Sequence, residues 1–537
     1  MSLRRKADLF LRKLTHNSNT VSSSSFLVEQ NSVSYSTGWK WWLTTAAGVG
    51  IICLAIFLDR FLLINAYNAP PGADPGNWLT FAWELGGKSI GLADWSYPPL
   101  LLIILRGFLE LFNPMTSLKL LGLISWSIMG CAFFIILRVS FKNLPIYILL
   151  GTSLLFSLAG YHGEIFAWGG YPQLIGTSFL LIAVPATARW LKTGDLKWGF
   201  VGVLFTIGVI YTHHLMTSMI PILLIIVGIW QILFATNKFE RKEILKKGLI
   251  YLCAVGILSI PAIPIYWEYW RLLGVFPTNA NQFGPSSVLL MFQYVFQDSL
   301  GLWLVLLVSA IIISFTNPKN PMQGTIFAFI LGPLIMVTIF WEVRFLPLIL
   351  VGIGYGLISI YQITWNIPKS GLSILLWRGA TIILLAVMLL SILPNSRNWF
   401  IRASEYYRVV DNGTYDGLTW LRDHSQPGDI VAASQWDPFS IGWWIQGYSE
   451  RPCLYVSDMR WLFFQQEREY AAIANTLFSE TTTPGQFIDI IQSQDIRWIL
   501  VNNQHQPGSI LSADHSGAIS PVYSNSILTI YKVGRSR

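Results

Sequence analysis

Eleven apolar runs of near-spanning length recur between residues 41 and 393, and nothing else in the chain restricts its fold as severely. They fall at roughly 41–64, 116–137, 145–160, 173–190, 198–214, 215–235, 249–268, 299–316, 323–340, 345–363 and 372–393. Hydrocarbon offers a backbone amide no water to bond. Each run must therefore satisfy its own N–H and C=O groups and is predicted to be a helix. Several runs fall short of the ~20 residues that a perpendicular span needs, so their ends must borrow from the flanks. The composition agrees, since only 12% of the 537 residues are charged, about half the share usual in a soluble domain. The 24 tryptophans suit membrane–water interfaces, which accommodate an apolar ring with a polar N–H.

Basic residues set the expected sidedness. Residues 1–393 hold 25 Lys+Arg against 14 Asp+Glu, whereas residues 394–537 hold 11 against 14. The net charge of +8 thus belongs to the membrane part. A nucleic-acid partner would need a basic groove on a soluble surface, and none is expected. One stretch is ambiguous: Tyr97-Pro-Pro-Leu-Leu-Leu-Ile-Ile-Leu-Arg106-Gly-Phe-Leu-Glu110, with Arg106 and Glu110 at i, i+4. If 97–112 stays outside as an interfacial or re-entrant helix, 18 Lys+Arg fall in the lead and inner loops and six outside. If it crosses, every later loop flips and the Lys238–Lys247 cluster faces out, against the positive-inside rule. The expectation is an all-α multi-pass domain over 40–394, embedded in the plasma membrane, with its N-terminus cytoplasmic and its C-terminus extracytoplasmic. Residues 1–39, first basic and then Ser/Asn/Thr-rich, read as a disordered cytoplasmic lead.

From 395 the texture changes. Helical patterns at 414–424, 460–478 and 484–493 alternate with strand-like runs at Ile430-Val-Ala-Ala, Ile496–Val501 and Ile527–Tyr531, punctuated by Pro427-Gly428, Pro484-Gly485 and Pro507-Gly508. Residues 395–537 are predicted to be a small soluble α/β domain. Cys453 stands alone there, so the domain has no internal disulfide.

Four regions that carry acids or histidines are predicted to face the same side. Asp74 lies in Asn68-Ala-Pro-Pro-Gly-Ala-Asp74-Pro-Gly-Asn-Trp78, in a first outer loop that also holds Glu84 and Asp94. Asp before Pro75 reads as a helix N-cap with proline at the first helical position. The same rigidly held carboxylate suits a general base. His162 and Glu164, in Gly160-Tyr-His162-Gly-Glu164, are either interfacial hydrogen-bonding groups or, with Asp74, ligands of a divalent ion such as Mg or Mn. His213 and His214 end another span, where ionisable groups are candidates for function. Glu342 and Arg344 are either an internal ion pair or a grip on a phosphate headgroup. In the tail, Trp436, Asp437 and Trp443 combine aromatic faces with an acid, as an acceptor-binding surface does, although tryptophans near a bilayer also serve as anchors and core.

The combination resembles the GT-C superfamily of integral-membrane glycosyltransferases. The likeness rests on Asp74 in Ala73-Asp74-Pro-Gly-Asn-Trp78, on Trp95-Ser-Tyr97-Pro-Pro99 leading into a second interfacial helix, and on the Gly160–Gln173 loop. Trp436-Asp437…Gly442-Trp443-Trp444 is distantly similar to the Trp-Trp-Asp-Tyr-Gly signature of oligosaccharyltransferases, differing in order and spacing. The resemblance implies a multi-pass enzyme with an acid in a helical outer loop. It would take its sugar from a polyprenyl-phosphate or -diphosphate carrier and pass it to an acceptor on the outer face. On that reading Asp74 is the base, His162, Glu164 and His213 position acceptor or metal, and Glu342 and Arg344 hold the donor phosphate. Two other classes stay open: a lipid or polysaccharide flippase, and a catalytically inactive membrane scaffold.

Overall fold

The computed structural model describes residues 38–88, 90–91, 97–272, 288–296, 300–340, 343–365, 371–459, 462, 464–505 and 517–534, with 507, 508, 510 and 514. The predicted lead, Asp94, Trp95 and Glu342 lie outside the described residues. By its contacts the chain divides into Met1–Gly48, described only for its helical start, and Val49–Arg537, which holds everything discussed below.

Each of the eleven apolar runs is helical. Among the described residues seven helices are long and apolar enough to cross a bilayer: Gly38–Ile64, Pro114–Ser140, Tyr171–Thr193, His214–Leu233, Lys238–Leu272, Pro321–Ile339 and Val343–Gln362. Ile146–Ser157 and Gly160–Trp168, bent by 47°, make an eighth if taken together. The runs at 198–214 and 299–316 give helices of 15 residues, Leu196–Ile210 and Leu300–Ser314. The last run is part of a 36-residue helix, Gly371–Tyr406, so position 394 falls inside a helix rather than at its end. The ambiguous stretch becomes Leu100–Leu109, 10 residues long. At 1.5 Å per residue that is about 15 Å, half of a ~30 Å hydrocarbon core, the length of an interfacial or re-entrant helix.

The spans pair as hairpins, which places alternate loops at opposite ends. At one end Lys192 Nζ meets Glu240 Oε1 at 2.5 Å, Trp190 Nε1 donates to Lys247 O (3.4 Å) and Trp230 Nε1 donates to Pro318 O (3.0 Å). This is the end rich in lysine and arginine. Lys238–Leu272 is largely unpacked along its length, leaving Leu249, Leu252, Ile257 and Leu258 exposed, the surface a lipid-facing helix presents. Deeper in, Arg60 is fully buried between the rings of Trp126 (4.8 Å) and Phe400 (4.7 Å), with Asp59 at 3.1 Å and Ser396 Oγ at 3.0 Å. A buried guanidinium is tolerable only with such partners, and these tie the first span to the last.

The tail is a five-stranded sheet with helices. Strands β1 (Ile430–Ala433), β2 (Cys453–Tyr455), β3 (Ile496–Asn502), β4 (Ile519–Ser524) and β5 (Leu528–Val533) lie in the order β2-β1-β3-β5-β4. The β2-β1-β3 half is parallel and β3-β5-β4 antiparallel. Helices Asn412–His424, Gln465–Leu477 and Pro484–Ser493 lie where the pattern predicted them. The short helix Gly442–Ser449 is an addition, and it carries the contact with the membrane domain.

Candidate active site

At the end opposite the lysine-rich loops, the Asp74–Leu85 helix, the Gly160–Trp168 helix and Tyr269 meet residues of the tail. The first loop is clamped by Gly72, whose N–H donates to Tyr407 O (3.0 Å) and whose carbonyl accepts Trp444 Nε1 (2.8 Å). The helix Asp74–Leu85 follows. Its N-cap is Ala73, in helical backbone conformation and without a side-chain capping bond. Asp74 is therefore the first helical residue and Pro75 the second, which corrects the predicted N-cap role. The helix is pinned along its length. Trp78 Nε1 donates to Gly169 O (2.7 Å), and Trp83 Nε1 donates to Gly447 O (2.9 Å). Gly169 has φ +99°, and a Cβ there would overlap Pro75 and come within 2.9 Å of Asp74 Cβ. Only glycine allows the Gly160–Trp168 helix end to approach Asp74 this closely. Gly447 packs directly on the backbone of Gly76.

Asp74 is half-buried, and neither of its oxygens accepts a hydrogen bond from a described residue. Burial pushes its carboxyl up from 3.8 to about 6, against a smaller opposing pull from Arg344. The Arg344 guanidinium rests 5.1 Å from the Trp168 ring centroid, and its backbone carbonyl accepts Gln173 Nε2 (3.0 Å). Its charge is felt by Asp74, Tyr97, His213, His214 and Tyr269, so one cation serves the whole cluster. His213 caps the helix His214–Leu233, its Nδ1 accepting Met216 N–H at 3.2 Å. That bond places its ring proton on Nε2, a donor. His214 stacks on it (5.0 Å) and meets Tyr97 (5.5 Å) and Tyr269 (4.8 Å). Tyr97 in turn packs on Trp78 (4.8 Å), closing the ring back to the Asp74 helix.

Two further polar atoms in this cluster are buried without a hydrogen-bond partner: Tyr171 Oη, which senses the Asp74 charge, and His214 Nδ1. An unsatisfied buried polar group costs about 1–3 kcal/mol. Two beside a carboxylate that accepts no hydrogen bond from a described residue mark a place arranged for contacts from outside the protein. The chemistry available is a raised-pKa base, an arginine for an anion, and imidazole and phenol donors.

Not all predicted residues join it. Glu164 is claimed by three donors: Tyr407 Oη (2.9 Å) and Tyr294 Oη on Oε1, and Trp399 Nε1 (3.1 Å) on Oε2. His162 is buried with Nδ1 2.9 Å from Phe156 O. Among the described residues no group of three or more His, Cys, Asp or Glu could hold a metal ion. With Glu164 engaged by its donors, the Asp74–His162–Glu164 set does not fit one. In the tail Trp436 is buried core. Asp437 is an exposed acid paired with His505 Nε2 (3.0 Å) and Gln435 Nε2 (3.0 Å). Trp443 donates to Tyr455 Oη (2.9 Å) and lays its backbone on Gly76. The groups that sequence reasoning passed over as site members are Tyr97, Tyr171 and Tyr269. Their only signal was polar residues recurring at span ends of one parity.

No family model and no curated protein matches the sequence. Solved structures do. ArnT from Cupriavidus metallidurans bound to undecaprenyl phosphate aligns with a TM-score of 0.53 at 11% identity, over 93% of this chain and 99% of that one. Its apo form gives 0.54 at 10% identity, over 90% and 98%. The Archaeoglobus fulgidus oligosaccharyltransferase in the apo form gives 0.56 at 11%, over 85% and 69%. Spans, first-loop helix and terminal α/β domain together give the chain the same fold as ArnT and the archaeal oligosaccharyltransferase.

Proposed function

We propose that this protein transfers a sugar from a polyprenyl-phosphate carrier to an acceptor hydroxyl at the Asp74 end of the molecule. The observation that carries the proposal is a carboxylate that accepts no hydrogen bond from a described residue, within the field of Arg344 and beside His213, His214 and Tyr97. Asp74 removes the proton from the acceptor hydroxyl as its oxygen attacks the anomeric carbon. The new glycosidic C–O bond forms, the bond from that carbon to the phosphate oxygen breaks, and the polyprenyl phosphate leaves carrying the electron pair. Arg344 balances the charge gathering on the leaving phosphate. His213 Nε2–H and the Tyr97 and Tyr171 hydroxyls orient donor and acceptor. A lipid donor is supported by the ArnT structure solved with undecaprenyl phosphate and by a site at the edge of a membrane domain. The lysine-rich loops lie at the other end, so the positive-inside rule turns the Asp74 end outward. The protein would thus sit in the cell membrane with its tail outside.

The test is in vitro transfer from radiolabelled polyprenyl-phosphate sugars by the purified full-length protein. Asp74→Asn keeps the shape and removes the base, and should lower transfer by at least about 10²–10⁴-fold with an unchanged elution profile. Full activity in that variant would refute the assignment.

A further inference from the structure

Two arginines show what this fold does with a guanidinium it needs for structure and with one it does not. Arg451 is buried in the tail and spends every nitrogen. Nε donates to Ser425 Oγ (2.7 Å), Nη1 to Ser449 O and Glu450 O (3.0 Å each), and Nη2 to Arg422 O (2.9 Å) and Ser425 O (2.7 Å). Arg408 is half-buried, its Nε and Nη1 are shielded without a hydrogen-bond partner, and no described residue accepts from Nη2. What holds it is a ring: its Cζ lies 3.4 Å from the centroid of Tyr67. At that distance two planar groups lie face to face, so the N–H donors, which lie in the guanidinium plane, stay at its rim.

Three span ends meet here. Tyr67 follows the first span, Gly38–Ile64, Lys119 lies in the second turn of Pro114–Ser140, and Arg408 follows Gly371–Tyr406. Lys119 Nζ donates to Tyr67 O (2.6 Å) and Asn65 Oδ1 (3.3 Å), which leaves its third N–H unspent. It stands close enough to Arg408 for the two cations to repel. The acids whose charge reaches Arg408 are Glu405, which is exposed, and Asp411, whose Oδ1 caps a helix through Thr414 N–H (2.7 Å); neither forms an ion pair with it. Two neighbouring cations with unspent donors are a place for an anion. It is not the Asp74 site, since the cation that Asp74 feels is Arg344.

Spans end where lipid headgroups begin, and a planar fork of N–H donors beside an ammonium suits the phosphates found there. Leu58 and Leu62 of the first span are exposed below Tyr67, an apolar surface along which an acyl chain can lie. We propose that Lys119 and Arg408 bind a phosphate group at the membrane edge, carried by a lipid headgroup or free in solution. The inference does not rest on glycosyl transfer.

The experiment is native mass spectrometry of the full-length protein in a neutral detergent. It is titrated with phosphatidylglycerol, with diacylglycerol, which lacks the phosphate, and with inorganic phosphate. Phosphatidylglycerol should bind more tightly than diacylglycerol. Arg408→Gln and Lys119→Gln should each weaken it about tenfold, the loss of one charge-assisted hydrogen bond. Arg402→Gln, which removes an exposed arginine near the end of the same long helix, should leave it unchanged. Asp74→Asn should bind as the wild type does, so loss of transfer in that variant leaves this site standing. If inorganic phosphate alone binds, with the same dependence on Arg408 and Lys119, the site stands and its phosphate comes from solution. The proposal is overturned if neither phosphate ligand binds better than diacylglycerol, or if either folded site variant binds like wild type. It is overturned too if Arg402→Gln weakens binding as much as Arg408→Gln, which is attraction by surface charge alone. Should the site variants unfold, phenylglyoxal labelling of the wild type decides. Phosphatidylglycerol or phosphate must slow the labelling of Arg408 and not of Arg402, and equal rates with and without them end the proposal.

Discussion

Asp74 and Glu164 sit on neighbouring short helices at the same end of the molecule, one half-buried and one buried, and they are handled in opposite ways. Glu164 is surrounded by Tyr294, Tyr407 and Trp399, each donating to it. Two of these belong to the long last helix and its end, so the carboxylate fastens the 160–168 segment to Gly371–Tyr406. Asp74 receives no such donor, and only the field of Arg344 favours its ionised form. Burial raises the Glu164 carboxyl too, against the pull of its three donors, but with its lone pairs filled it has none free to meet a substrate hydroxyl. A carboxylate half-buried and unfilled keeps both its basicity near neutral pH and a lone pair to use. The contrast gives Glu164 a part in the architecture and leaves Asp74 free for the role of base in the proposed reaction.

The comparison breaks first at Arg344. If it holds the leaving phosphate, Arg344→Ala should cost about 10²–10³-fold in kcat/KM. Arg344→Lys should recover only part of the loss, because an ammonium restores the charge without the two-pronged donor geometry. Steady-state kinetics with a defined polyprenyl-phosphate sugar measures both. An Ala variant within a factor of two of wild type would leave Asp74 without its electrostatic partner.

The pH profile sharpens it further. Asp74 must be ionised to act as a base, and its folded pKa is raised to about 6. Activity should therefore fall about tenfold per pH unit below 6, rather than below 4 as for an ordinary carboxylate. In Arg344→Gln the cation's opposing pull is gone, so the acid limb of the residual activity should move to higher pH. A limb that stays in place would show that another group titrates. On the Glu164 side the effect is on the fold. Glu164→Gln turns one acceptor oxygen into an N–H aimed at a donor, and should destabilise by about 1–3 kcal/mol. A lowered thermal midpoint, with transfer per folded molecule nearly kept, is the expected pair of results.

How far this contrast was legible beforehand depends on the kind of signal. The spans announce themselves because lipid enforces long apolar helices, and the parity of Lys and Arg places Asp74, Gly160–Gln173, His213 and Arg344 at one end. Asp74 stood out as an acid opening a Pro-Gly helix. Its difference from Glu164 did not, because it depends on which side chains arrive from residues 294, 399 and 407, more than a hundred positions away. The same holds for Gly442–Ser449, too short and glycine-rich to read as a helix. Gly442 is required by the ring of Tyr455, and Gly447 by the backbone of Gly76, contacts that only the assembled chain creates. Asp437, prominent in a tryptophan-rich run, proved to be a surface ion pair with His505.

The smallest effect is also the most discriminating, because neutralising the two acids should move the thermal midpoint in opposite directions. A carboxyl whose pKa is higher in the folded than in the unfolded state is bound to its proton more tightly when folded. As pH rises from 3.8 through about 6 the unfolded chain ionises first, so Asp74 takes stability away across that window and the loss is complete above it. Asp74→Asn abolishes the titration. The variant should melt at a higher temperature than wild type at pH 8, and the gap should close as the pH approaches 4. Glu164→Gln should melt lower than wild type at pH 8. Thermal scans of the three proteins at pH 4, 6 and 8 in one detergent make the comparison. A destabilised Asp74→Asn at pH 8 would mean that its carboxylate is held by the fold after all, as Glu164 is, and would remove the physical reason for treating the two acids differently.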